Sequence, residues 1–280
     1  MTRGGWIPLV LWAVVGGPAA AQVRPARSAD YLFVTNVSDV RANWVNPAGL
    51  AVLPEASVFA ELVVEHTLSQ NLRLAQYSVG FSSRGLSVAY QRDRFETDSS
   101  TSVFRVGYGL PIPRGAIGFA TSWYGAPGDN QRGLDLGIMY GIIPRLTLGA
   151  TARNIGRPEV GTAGELPIVL TGGAQLALLG GRLQLAAQGN ATERLGPATG
   201  YDNTYRGGIN LVLPTRRPIV IVGAADLASN FRIDRLHLGF AIGGRTHVAA
   251  IGTGISRNNT SQLDRLSVTG VASNTTLRGR

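Results

Sequence analysis

GLDLGIMYGIIPRLTLGATARN, residues 133–154, divides into two alternating runs that meet at a corner formed by Ile143, Pro144 and Arg145. In the first run Leu134, Leu136, Ile138 and Tyr140 share one face, while Asp135, Gly137, Met139 and Gly141 share the other. In the second, Leu146, Leu148, Ala150 and Ala152 oppose Arg145, Thr147, Gly149, Thr151 and Arg153. Side chains that alternate with a period of two belong to β-strands, so the stretch is a hairpin with one apolar face and one small or polar face. What covers the apolar face decides the fold. A second sheet would make a soluble sandwich, and lipid would make a membrane barrel.

Nothing in the composition of the 280 residues marks a linker between two cores, so one domain is expected. The amino terminus, MTRGGWIPLVLWAVVGGPAAAQ, has Arg3, an apolar stretch from Trp6 to Val15 and the small residues Ala19, Ala20 and Ala21. It reads as a secretory signal over 1–21, cut after Ala21, with an uncleaved anchor as the alternative. Beyond it no run of about 18 uninterrupted apolar residues exists, so no membrane-spanning helix is expected. Cysteine is absent, which removes disulfides from the stability account. Lysine is absent too, so all 26 basic residues are Arg, which excludes a Walker A loop, a Schiff-base enzyme and a Ser-Lys dyad. A net charge of +9 would suit nucleic acid, but no basic cluster with interleaved aromatics is present, and no nucleic-acid partner is expected.

Alternating segments follow at 57–66, 72–81, 85–92, 101–110, 115–123, 133–142, 145–154, 167–178, 182–190, 204–213, 218–227, 234–243, 246–256 and 263–272. Connections after the even-numbered segments are tight, as in Ser82-Ser83-Arg84, Ile143-Pro144 and Gly244-Arg245. Those after the odd ones are mostly longer and more polar, as in RDRFETDSS (92–100), YGAPGDNQRG (124–133) and ATERLGPATGYDN (191–203). Greek-key sandwiches mix connection lengths at both ends, whereas outer-membrane barrels keep short periplasmic turns and long external loops. The expected fold is therefore all-β: a transmembrane antiparallel up-and-down barrel of about 14 strands over 56–280, exported to the outer membrane of a Gram-negative-type bacterium. A secreted soluble β-sandwich that binds partners through its loops is the alternative from another class. The 37 glycines suit a crowded or water-filled lumen.

Each tight turn carries or abuts an Arg: Arg84, Arg114, Arg145, Arg182, Arg216 with Arg217, and Arg245. In a barrel these form a ring facing anionic head groups, unless Arg is simply a tolerated turn residue. Acidic residues fall toward the other end, and Asp93, Glu96, Asp98, Asp129, Glu159, Glu165, Glu193 and Asp202 are assigned to the long loops. Phe81, Tyr90, Trp123, Tyr124, Tyr140 and Tyr205, near strand ends, fit interfacial girdles.

Between signal and first strand lies DYLFVTNVSDVRANWVNPAGLA (30–51), which fits no strand. Asn46 before Pro47 is held extended, Pro47 suits a first helical position, and the pair has helix-cap chemistry or forms a turn before strand one. ANWVNPAGLA resembles the signature that opens the FadL-like and PorV/PorQ-like outer-membrane barrels, and TARNIGRPEVGTAGELPIVLTGGAQL (151–176) is similar to a segment of the PorV-like branch. The resemblance implies that residues 22–55 form an amino-terminal hatch inside the lumen, with Asn46, Pro47 and Ala48 in it. It implies one of two roles: passage of small hydrophobic molecules across the outer membrane, or PorV-like assistance to protein export or surface attachment. The chain departs from the pattern in its short loops, in VTNVSDVRAN where a Gly-rich run is usual, and in a carboxyl terminus without a final aromatic.

No Gly-x-Ser-x-Gly elbow or acid/base pair points to an enzyme. With a two-residue turn at Gly244-Arg245, His237 would face Gly252 and His247 would face Ile242, so the histidines do not meet in a metal site, and neither metal nor cofactor is expected. By alternation Arg105, Asp135, Arg153, Gln184, Gln188 and Asp226 point away from the apolar faces and are the candidate lumen-lining residues. They either line a water path or satisfy one another in a closed plug. The expected partners are outer-membrane lipid and a small hydrophobic ligand or an exported protein, with the barrel itself a monomer.

Overall fold

The computed structural model describes residues 24–52, 56–66, 71–95, 100–125, 132–160, 164–196, 199–243, 246–256 and 259–274. The proposed signal peptide, Arg245, Glu96, Asp98, Asp129 and the last six residues lie outside them. Fourteen strands follow one another: β1 (Ala56–His66), β2 (Leu72–Ser83), β3 (Leu86–Arg94), β4 (Ser100–Ile112), β5 (Gly115–Tyr124), β6 (Arg132–Ile143), β7 (Leu146–Ile155), β8 (Val169–Leu178), β9 (Leu183–Glu193), β10 (Tyr201–Leu213), β11 (Ile219–Leu227), β12 (Ile233–Gly243), β13 (Thr246–Ser256) and β14 (Asn259–Asn274). Each pairs antiparallel with its sequence neighbours, and β1 closes on β14 from Ala56↔Asn274 to Glu65↔Arg265. Closure leaves no unpaired edge, which is what a sheet surrounded by hydrocarbon requires.

The quoted hairpin shows which way the faces point. Leu136 and Ile138 are 46% and 43% exposed on the outside, while Asp135 and Met139, on the other face, are 2% and 5% exposed. Val58, Leu62, Phe104, Phe119, Ile221 and Val268 continue the exposed apolar belt around the wall. Such a belt on a closed barrel is a lipid-facing surface, so the barrel spans a membrane and the sandwich alternative falls.

Several strands run further than their alternation alone suggests. β3 extends to Arg94 and β4 begins at Ser100, so both ends of RDRFETDSS are strand. Asp93 is consequently not a loop residue but a fully buried side chain on the luminal face of β3. Tyr124 also departs from its girdle assignment, since it points inward, 5% exposed, with its hydroxyl 3.5 Å from Asn154 Oδ1. At β12–β13 the register is one residue off the two-residue-turn expectation: His237 faces Thr253 and His247 faces Gly243. Gly243, at φ +114°, takes a backbone conformation that only glycine adopts readily and absorbs the extra residue. The six described turn arginines, Arg84, Arg114, Arg145, Arg182, Arg216 and Arg217, are all exposed at the short-turn rim.

Inside the barrel lies segment 24–52, with one-turn helices α1 (Ser28–Tyr31) and α2 (Ala42–Val45) and a 3-10 turn over Pro47–Ala51. Its Val37, Val40, Trp44, Val45 and Leu50 pack with Phe59, Ala89, Val103 and Val271 of the wall, so the protein's hydrophobic core is the contact between this segment and the barrel interior.

Candidate functional site

The luminal segment crosses the barrel from end to end. Near the long-loop end the Arg24 guanidinium pairs with Glu65 at 2.6 Å, and the Arg24 amide donates to Asp93 Oδ2 at 3.2 Å. Near the short-turn end the Val40 amide donates to the Ser57 hydroxyl, at the start of β1, at 3.0 Å.

Asn46 makes the bend that the Asn-Pro pair dictates. Its backbone is extended (φ −153°, ψ 105°), and its Oδ1 accepts from the Ala48 amide at 3.1 Å, capping the turn that Pro47 starts. Its Nδ2 donates to the Val34 carbonyl at 2.7 Å and to the Ile138 carbonyl of β6 at 3.1 Å, so the fully buried amide joins the two halves of the segment to the wall. Pro47 and Ala48 rest on a row of inward glycines. Gly109, Gly118 and Gly137 are register partners on β4, β5 and β6, and a Cβ at Gly118 would sit 2.4 Å from the Pro47 carbonyl oxygen. Alternation alone leaves these glycines as small lumen residues; the structure makes them a seat shaped to backbone.

Polar residues of the wall hold the rest. Glu61, 1% exposed, accepts hydrogen bonds from Ser28 (3.0 Å), Tyr31 (3.0 Å) and Thr269 (2.8 Å). Gln76 accepts from the Arg27 amide at 2.9 Å. It faces inward because Ala75 is bulged out of register between Val63↔Gln76 and Val64↔Leu74. Arg27 also donates to the Thr253 hydroxyl, which lies 3.0 Å from His237 Nδ1, while His237 Nε2 lies 3.0 Å from Asp226. The Thr253 hydroxyl accepts from the guanidinium, and the His237 ring bridges that hydroxyl and the Asp226 carboxylate. His237 therefore links β11, β12 and β13 to the segment.

Within the segment Arg41 clasps Asp39 at 2.6 and 3.0 Å. Burial pushes the Asp39 carboxyl up, but the adjacent Arg41 charge outweighs it and holds Asp39 below the usual carboxylate range. Tyr31 is pushed up to about 12 by burial first and the Glu61 charge second.

The sequence-nominated luminal residues separate into groups. Arg105 and Asp135 form a buried ion pair at 2.6 Å, and Arg153 lies on the same cavity. Gln188 accepts from the Val34 amide at 3.2 Å, and Asp226 pairs with Arg206 at 2.5 Å. Gln184 shares the luminal face of β9 but lines no part of the cavity. Glu61, Gln76, Asp93, Arg206 and His237 escaped nomination. For Glu61 the signal was present: a carboxylate mid-strand in a membrane barrel must point inward.

The cavity, about 410 Å³, lies between the segment and the wall from β3 to β10. Polar Arg105, Asp135 and Arg153 share its lining with apolar Trp44, Val103 and Val169. Leu166 of the β7–β8 connection also lines it and packs on the same core as Val160 and Trp44. A larger groove of about 680 Å³ lies on the outer wall, floored by Ala150, Ala152 and Gly172, and is separate from this chemistry. Among the described residues no cluster of His, Asp and Glu could hold a metal.

Solved structures with similar folds are membrane barrels. The toluene transporter TbuX of Ralstonia pickettii superposes with a TM-score of 0.58 at 13% identity, over 90% of this chain and 97% of that one. The fold is that of an outer-membrane β-barrel. The outer membrane protein Omp33 of Acinetobacter baumannii gives a TM-score of 0.47 at 9% identity, over 80% of this chain and 100% of that one. OmpF of Salmonella typhi gives 0.44 at 9%, over 78% and 96%. No protein-family model matches the chain, and no curated protein matches it in sequence.

Proposed function

We propose that this barrel resides in the outer membrane, belongs with the FadL-like and PorV-like barrels, and passes small hydrophobic molecules, with segment 24–52 as its hatch. The observation that carries the reading is the seating of Asn46, Pro47 and Ala48 on the glycine row, with a partly apolar cavity left on the long-loop side. A plain water-filled porin has no use for such a seat or for a core built across its lumen. The likeness of fold to a barrel described as a toluene transporter supports the same direction. Asn46, Pro47 and Ala48 act as the latch, and Arg105, Asp135, Arg153, Gln188 and Asp226 tune the chamber behind it.

Lipid is the second proposed partner. The rim arginines stand where phosphates of the adjacent leaflet lie, and no described residue of those turns is acidic. The test of function is mass spectrometry of what co-purifies with the barrel from its membrane, joined to toluene titration of Trp44 fluorescence, with Trp44→Phe as the reference. Bound apolar molecules and a Trp44-dependent change are expected. A stoichiometric exported protein, with no small molecule and no response to toluene, would overturn passage and leave the PorV-like export role.

A further inference from the structure

Gly172, mid-strand in β8, has no explanation inside the chain. Both of its ladders run without a register shift, from Leu146↔Leu176 to Arg153↔Val169 on one side and from Val169↔Thr192 to Leu178↔Leu183 on the other. Its φ is not left-handed, and a Cβ there would meet no atom within 4 Å. Glycine weakens a strand interior and is found there at a bulge, at a tight bend, or where another molecule comes close to the backbone. The unbroken ladders leave the third reason. Gly172 lies on the floor of the outer groove of about 680 Å³, a volume within the ~300–1,000 Å³ of small-molecule sites.

The groove is a depression in the lipid-facing belt. One outward row runs by register from Ile138 through Ala150, Gly172 and Gly189 to Tyr205. Leu136 and Ile138 wall it on β6, and Tyr205, its ring stacked on Phe231 at 4.8 Å, walls it on β10. Thr171 and Asn190 border it too, but their side chains belong to the luminal alternation, where the Thr171 hydroxyl donates to Asn190 Oδ1 at 2.9 Å. The closed ladders make the groove a recess and not an opening in the wall, and in hydrocarbon no water is at hand to fill it. Toward the long loops the same outward face turns polar. Thr192 lines the luminal cavity, so Ala191 and Glu193 point outward, with Asn203 opposite Ala191 and Tyr201 opposite Glu193. Arg157 holds the Glu193 carboxylate through Nε at 3.0 Å and through a second guanidinium nitrogen. This margin of the groove thus carries both signs of charge, whereas the described short turns carry arginine and no carboxylate.

We propose that the outer groove across β6–β10 is a saturable site for one phospholipid with a zwitterionic ethanolamine head group. An acyl chain lies over Gly172 between Ile138 and Tyr205, and the head group rests at Arg157 and Glu193. The phosphate suits the guanidinium and the ammonium suits the carboxylate, while a head group with a negative charge alone meets Glu193 unrelieved. A flexible chain can follow a floor of Ala150, Ala152 and Gly172. A second copy of the barrel would present a convex belt of Leu and Phe side chains that rides on the walls instead. The site lies outside the wall, so it depends on the barrel's place in a membrane and not on what passes through the lumen.

The test incorporates the full chain into vesicles of equimolar phosphatidylethanolamine and phosphatidylglycerol, extracts it in a neutral detergent, and counts retained lipid by native mass spectrometry. One phosphatidylethanolamine per barrel is expected, at least fivefold over phosphatidylglycerol. Gly172→Leu, which fills the groove without touching the wall, is expected to cut retention at least tenfold, and Ala152→Leu fills the same floor should the first variant not fold. Gly270→Leu is the control: Gly270 lies on the outward face of β14, where a Cβ also meets no atom within 4 Å, and retention is expected to stay unchanged. Glu193→Gln, which leaves Arg157 without that carboxylate, is expected to abolish or reverse the preference between the two lipids. Retention that the groove-filling variants do not change overturns the proposal, as does an equal loss in Gly270→Leu, which would show an unspecific lipid annulus. Equal retention of the two lipids by the unaltered protein, or a dimer that Gly172→Leu dissociates, overturns it too.

Discussion

Gly118→Ala isolates the hatch from the barrel that holds it. The new Cβ would stand 2.4 Å from the carbonyl carbon and oxygen of Pro47 and 2.5 Å from the Ala48 amide, where ordinary contact begins at 3.4 Å. Backbone atoms cannot swing aside as a flexible side chain can, so the Pro47–Ala51 turn must retreat by roughly 1 Å or leave its seat. Overpacking of this kind costs about 1–3 kcal/mol. The strand suffers nothing comparable, because Ala in a strand interior is about 0.5–1 kcal/mol better than Gly. The load therefore falls on the hatch equilibrium, which should shift toward the open state by roughly 5- to 150-fold. Single-channel recording in planar bilayers reads this directly, as longer or more frequent conducting events, while the unheated protein should still migrate on gels as a folded barrel. Wild-type conductance from a correctly folded Gly118→Ala protein would refute the view that the glycine row seats a gate.

Asn46→Ala removes the cap on the Ala48 amide, worth about 1 kcal/mol, and leaves the Val34 carbonyl buried without its donor, a further ~1–3 kcal/mol. Faster amide hydrogen exchange confined to residues 30–52 is expected, and unchanged exchange there would remove Asn46 from the latch. Ile138→Arg puts a charge on the lipid face and should destabilise the barrel by about 2–4 kcal/mol in urea titrations with lipid vesicles, if the site lies near the bilayer midplane. Little or no loss would mean that the belt is not in hydrocarbon. Tyr31, raised to about 12 in the folded protein against 10.0 for the free side chain, binds its proton more tightly when the hatch is seated. Its contribution is whole below pH 10, falls as the pH climbs from 10 toward 12, and should vanish in Tyr31→Phe; proteolysis of the hatch across that range measures it, and identical profiles for the two proteins would contradict it.

Much of the architecture is local and so was legible in the residues themselves. Alternation depends only on the strand period, and it separated Leu136 and Ile138 from Asp135 and Met139 without knowledge of any partner. The parity of short and long connections disclosed an up-and-down order, because only a meander keeps all its tight turns at one end. Asn46 and Pro47 announced a capped turn because a residue before proline is extended and its side chain reaches an amide two residues on. Everything that makes the interior a site is a contact between residues far apart in the chain, and alternation carries no information on those. It placed Arg153 in the lumen but did not set it and Asn154 together opposite the Arg105–Asp135 ion pair, since that depends on a register shift between β6 and β7. It took Tyr124 for a girdle residue because strand ends read alike on both faces until closure sets which side is in. It missed by one residue at His237 and His247 because Gly243 opens the turn into left-handed space. The glycine row became a seat only when the barrel brought Gly118, Gly109 and Gly137 against a segment some 60 to 90 residues earlier in the chain, and packing at that range is decided by tertiary structure alone.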